Sequence, residues 1–203
     1  MWPNGILGSS TEFQTVHLYS VNDGSDHISE EMWLVDDVDD CAGNGISWVE
    51  AGEATWYGHT GNWYFWADCR PGSTFLPHFL YQPPSGDVYH YFQYTIEKAL
   101  RATNEFSASM YNTSGTQLWY GESTSNTMAA DEIQVGLETT DNNYSVTHSD
   151  PDYFIGNQYF GLNEVWAYQA NSGTVYANNP PTWTWVTPPS GGNHGGEGKT
   201  TCC

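Results

Sequence analysis

Trp48-Val49-Glu50-Ala51-Gly52-Glu53-Ala54-Thr55-Trp56-Tyr57-Gly58-His59-Thr60-Gly61-Asn62-Trp63-Tyr64-Phe65-Trp66-Ala67-Asp68-Cys69 is the stretch whose reading decides the fold. Two aromatic-rich runs flank Gly58-His59-Thr60-Gly61, where glycine supplies turn conformations that other residues resist. Run, turn and run predict a β-hairpin. Side chains alternate along a strand, so Trp48, Glu50, Gly52, Ala54 and Trp56 share one face. Val49, Ala51, Glu53, Thr55 and Tyr57 share the other. With a symmetric turn, Trp63, Phe65, Ala67 and Cys69 join the Glu50 face, while Tyr64, Trp66 and Asp68 take the opposite one. A one-residue slip would exchange those second-strand lists.

The same grammar continues outward. The chain has 203 residues, with 21 Gly and 10 Pro punctuating short β-branched and aromatic runs. Strands are expected over 13–20, 31–36, 46–57, 62–69, 75–81, 88–97, 105–112, 116–121, 131–140, 143–148, 159–169, 174–177 and 182–187. A second hairpin turns at Asn112-Thr113-Ser114-Gly115. Glu97–Thr103, the best helical stretch, is short and follows a strand pattern at Thr95-Ile96. The expected fold class is all-β: an antiparallel two-sheet jelly-roll sandwich. Residues 1–12 read as an irregular segment, 13–188 as one sandwich domain, and 189–203 as a flexible Gly-rich tail.

Composition excludes several functions. Lys+Arg number 4 against 24 Asp+Glu, a formal net charge of −20. Phosphate neutralisation needs clustered cations, so nucleic acid is not an expected partner, and neither is an anionic membrane surface. No apolar run reaches the roughly 18 to 20 residues of a membrane helix. Aromatic residues make up 16% of the chain, too many for a disordered acidic segment. The N-terminus carries no basic start and no apolar run of a signal peptide. Scarce Lys with abundant Asn, Thr, Ser, Gly and Trp nevertheless points to a secreted β-protein whose chain begins at a mature end.

Candidate chemistry centres on Glu50. A carboxylate mid-strand among Trp48, Gly52 and Trp56 is partly desolvated, which suits general acid or base work. Gly52 and Ala54 leave room above the sheet for a ligand. The alternative is a solvated Glu, or one paired with Arg70. A second strand, Asp131–Thr140, places Glu132, Gln134, Gly136 and Glu138 on one face and Ile133, Val135 and Leu137 on the other. Two carboxylates on neighbouring strands can divide acid and base roles. Asp37, Asp39 and Asp40 form a weak calcium candidate without the spacing of an EF-hand. The seven His lack zinc spacing, and neither a nucleophile elbow nor a phosphate loop occurs. No cofactor is expected. Four Cys allow three pairings, of which Cys41–Cys69 is the simplest, because adjacent Cys202 and Cys203 are poorly placed to bond each other.

Trp48-Val49-Glu50-Ala51-Gly52, followed by Trp63-Tyr64-Phe65-Trp66-Ala67-Asp68, resembles the glutamic-peptidase superfamily, whose members are the eqolisins and the neprosin-like proteins. The resemblance spans roughly residues 30–170 and implies a concanavalin-like β-sandwich. It also implies a glutamic endopeptidase of neprosin type, or a diverged relative, working at acidic pH on a peptide or protein substrate. Glu50 matches the first catalytic position, and Glu138 the second, with Glu132 as the competing alignment. Trp48, Trp56, Trp63, Trp66 and Gln134 are the expected substrate-binding residues. Two other readings stay open: a glycan-binding or glycan-hydrolysing jelly roll, with those Trp as sugar platforms, and a non-catalytic secreted surface or assembly domain.

Overall fold

The period of two becomes two faces. A computed structural model describes residues 5–15, 27–38, 40–41, 43, 45–99, 103–139, 152–168, 183–186 and 197–200. Among them there is no helix. The strands are β1 (Ile6–Gln14), β2 (His27–Asp36), β3 (Ser47–Trp56), β4 (Trp63–Cys69), β5 (Leu76–Tyr81), β6 (Tyr91–Lys98) and β7 (Glu105–Tyr111). There follow β8 (Gln117–Thr124), β9 (Glu132–Thr139), β10 (Asp152–Tyr153), β11 (Ile155–Gly161), β12 (Trp166–Tyr168), β13 (Trp183–Val186) and β14 (Glu197–Thr200).

They form a five-stranded sheet, β5-β4-β3-β2-β9, and a six-stranded sheet, β12-β11-β1-β6-β7-β8, with a small sheet β10-β14-β13 besides. All pairings within these sheets are antiparallel. The two large sheets close on one core, in which Met32, Leu34, Val49, Ala51 and Tyr64 of the first meet Phe13, Tyr94, Ile96, Phe106 and Met110 of the second. Phe13 stacks on Tyr94 with ring centroids 4.1 Å apart. The expected all-β sandwich is therefore what the chain adopts.

The decisive hairpin takes the symmetric register, with Ala54 opposite Trp63, Glu50 opposite Ala67 and Trp48 opposite Cys69. Gly58 and Gly61 carry the turn at φ 81 and 80°, a region that costs glycine no clash. A Cys41–Cys69 disulfide ties the β2–β3 connection to the end of β4. Other boundaries move. The run expected over 159–169 is two strands, β11 and β12, joined by a turn with Glu164 at φ 58°. Lys98 ends β6, so Glu97 and Lys98 are extended rather than helical.

Strand β1 begins at Ile6, inside the segment expected to be irregular. Gly8-Ser9-Ser10 reads as a turn, but these small residues suit a central strand crowded from both sides. A Cβ on Gly8 would lie 2.6 Å from the Ile96 carbonyl oxygen. Strand β14 likewise lies inside the expected tail, paired with β10 and β13. The runs 143–148 and 174–177, together with Cys202 and Cys203, lie outside the described residues.

Candidate active site

Strand β2 is the spine of the site, because it lies between β3 and β9. Its register sets three rows across the outer face of the sheet: Glu50–Trp33–Gln134, Gly52–Glu31–Gly136 and Ala54–Ser29–Glu138. Glu50 and Glu138 thus share a face, and Glu31 stands between them. Glycine on both sides of Glu31 keeps its row free of side chains. A Cβ at Gly52 would lie 2.1 Å from the Glu30 carbonyl oxygen and 2.7 Å from the Glu31 Cβ.

The three carboxyl groups differ in environment. Glu31 is 1% exposed and Glu50 4%, whereas the Glu138 side chain is 49% exposed. The Trp48 indole donates to Glu50 Oε2 at 2.8 Å, and Trp33 donates a further hydrogen bond. Burial, and then the charge of Glu138, push Glu50 up to about 8 against those two donors. Glu31 lies well above the usual carboxylate range, through burial first and then the charges of Glu50 and Glu138. The Ser29 hydroxyl donates to Glu31 Oε1 and opposes that rise. Glu138 shares a hydrogen bond with Glu31 and lies 3.6 Å from the His27 imidazole Nε2. That imidazole stacks on Trp56, 4.2 Å between centroids and 10° apart in plane.

An aromatic wall borders the carboxylates. Phe75 stacks between Trp48 and Trp56, at 5.9 and 6.0 Å. Phe79 meets Trp56 edge-on and also packs on His59, which in turn meets Trp63 edge-on. Trp48, Trp56 and Trp63 are each half-buried. This wall can hold an extended apolar or prolyl chain beside a pair of carboxyl groups of unlike protonation.

Several expectations are sharpened and one is corrected. Trp66 does not line the cleft: it pairs with Ala51 on the core face, is buried, and stacks on His78 at 4.0 Å. The symmetric turn puts even-numbered residues of β4 inward, and a Cβ at Gly121 would strike the Trp66 indole at 2.2 Å. Gln134 is on the Glu50 face, and its amide donates to Glu132 Oε1 at 2.8 Å. Glu132 sits in the Val35 row, one step beyond the Glu50 row and away from Glu31. Arg70 pairs with Asp68 on the core side at 3.4 Å, and not with Glu50. Of the calcium candidates, Asp40 caps its own loop by accepting from Gly45 N at 2.8 Å, and Asp39 lies outside the described residues. The acidic oxygens that do converge, within 4.8 Å, belong to Asp36, Asp37 and Asp131. Asp36 there accepts from the Val38 and Ala129 amides, which makes it a loop anchor.

Glu31, Trp33, Ser29 and His27 are the site residues that sequence reading missed. The signal was present: extending the strand backward from Glu31 to His27 would have placed Ser29, Glu31 and Trp33 on one face by alternation.

No protein-family profile and no curated protein sequence matches this chain. Solved structures do match it in fold. Scytalido-glutamic peptidase, solved with a transition-state analogue inhibitor, superimposes with a TM-score of 0.58 at 12% identity, covering 99% of this chain and 95% of that one. SCP-B, a member of the eqolisin family of peptidases in complex with the tripeptide Ala-Ile-His, superimposes at 0.54 with 10% identity, covering 98% and 94%. The chain shares the fold of these glutamic peptidases over almost its whole length.

Proposed function

We propose that the protein is a secreted glutamic endopeptidase, neprosin-like or a diverged relative, in which Glu50 and Glu138 divide the chemistry at acidic pH. The observation that carries this reading is the convergence of Glu50, Glu31 and Glu138 on one open, aromatic-walled sheet face, in a fold that glutamic peptidases share. Their unlike burial sets their roles. Glu138, exposed and beside His27, is the base that takes a proton from water as the water oxygen attacks the scissile carbonyl carbon. Glu50, buried and held protonated, donates to the carbonyl oxygen and then supplies the proton that the leaving nitrogen needs when the C–N bond breaks. Water is consumed and a carboxylic acid and an amine result. Glu31 is a positioning residue that holds Glu138 through their shared hydrogen bond. Trp48, Trp56 and Trp63 are the proposed supports for the substrate chain, with Gln134 on the far side of Trp33. A disulfide on the edge of the site accords with an oxidising, extracellular setting.

The test is cleavage of proline-rich peptides from about pH 3 to pH 7, with Glu50→Gln alongside. Cleavage by the parent chain that rises toward acid, and vanishes in the folded variant, supports the reading. Equal cleavage by both proteins, or none by either, sinks it.

A further inference from the structure

The other large sheet carries a second chemically distinctive face, remote from the carboxylates. Its outer surface holds a groove of about 370 Å³, within the range of about 300 to 1,000 Å³ typical of small-molecule sites. The strand registers lay one row across all six strands: Tyr168, Gln158, Ser10, Thr95, Ser109 and Tyr120. Small hydroxyl residues occupy its middle, and a tyrosine stands at each end, 58% and 51% exposed. At strand spacings of about 4.8 Å the row spans on the order of 24 Å. Beside it, Gln93 pairs with Tyr111, and Trp166 packs on Phe160 at 5.2 Å, so aromatic walls border a hydroxyl floor.

We propose that this trough binds a neutral saccharide chain. The floor is preorganised: Gln93 Nε2 donates to Ser10 Oγ at 2.9 Å, and Ser10 and Thr95 share a hydroxyl contact at 3.2 Å. Among the described residues no hydrogen bond engages the Gln158 amide, the Tyr111 hydroxyl or the Trp166 indole, so each can meet a ligand. Amides that donate and accept match sugar hydroxyls, and aromatic faces match the apolar C–H face of a pyranose ring. No Lys, Arg or His lines the groove, which disfavours phosphate, sulfate or carboxylate ligands. An extended peptide is disfavoured too. The floor strands β1 and β6 are central in the sheet, with their backbone groups committed to neighbours on both sides, so no free edge is offered for strand addition.

The inference is independent of the peptidase reading, because the two sites lie on different sheets. Its test is calorimetric titration of the full chain with neutral β-1,4-linked hexasaccharides of glucose, xylose and mannose. One or more is expected to bind, with affinity reduced at least tenfold in Trp166→Ala and in Gln158→Ala, and unchanged in Glu50→Gln. Gln158→Ala removes only a half-buried amide, so it reports on binding even if Trp166→Ala fails to fold. Absence of heat with all three sugars overturns the proposal. So does binding that survives Gln158→Ala, or that is lost only when Trp48 is replaced by Ala.

Discussion

One sheet carries two sets of buried carboxylates, and its two faces use them differently. On the outer face, Glu31 and Glu50 lie under an aromatic wall and next to exposed Glu138. On the inner face, Glu30 and Glu53 stand directly opposite each other on β2 and β3, both fully buried in the core. Glu53 accepts from the Asn62 amide at 2.9 Å. The charges of Glu53 and Glu30 help to raise Tyr94, behind the larger effect of its burial. Burial alone therefore does not make a site. What separates the faces is access: the inner pair is sealed by the second sheet, whereas the outer group opens onto a row cleared by Gly52 and Gly136.

The comparison can be broken most directly through activity. Glu50→Gln is expected to lower kcat/KM about 10²- to 10⁴-fold, the usual scale of general acid–base catalysis, while the melting temperature at neutral pH holds or rises. Reducing the Cys41–Cys69 bridge, which spans 28 residues, should cost about 3 to 4 kcal/mol of unfolding free energy by the loop-entropy relation, measured in urea with and without reductant. Glu53→Ala is the mirror experiment. It should cost about 1 to 3 kcal/mol through the lost buried acceptor, yet leave kcat/KM of the folded protein unchanged. An activity loss there matching that of Glu50→Gln would erase the distinction between the faces. Glu31→Gln should reduce kcat/KM about tenfold, the equivalent of one hydrogen bond's positioning, and alter the pH profile more than KM.

The outer face also predicts a pH dependence of stability. Glu50 is raised in the folded state to about 8, from an ordinary value of 4.5. Between those values the folded chain holds a proton that the unfolded chain has released, so stability falls as pH rises through the window. Thermal unfolding should show a higher midpoint near the lower bound than near the upper. Glu50→Gln should flatten part of that slope, and a slope identical in the variant would assign the effect to other groups.

Much of the fold was readable because alternation is local. Trp48 to Trp56 sorts itself by parity, and the Gly58–Gly61 turn fixes the register of β4. Glu50 was legible for the same reason, and Glu138 by its place after Gly136. Glu31 was not, because Glu30-Glu31 reads as a polar strand edge until β2 is known to run from His27. Trp66 shows the converse: its chemistry suits a substrate platform, but its parity sends it into the core. The strand β1 was hidden because small polar residues look like a turn.

By itself, then, the sequence determined an acidic all-β sandwich with a carboxylate among tryptophans, since residue type and period are properties of the chain. Only the tertiary structure decided that β2 lies between β3 and β9, that Glu31 falls between two glycines, and that Glu30 and Glu53 face inward. Those outcomes depend on strand order and sheet packing, which join residues distant in the chain and leave no local periodic trace.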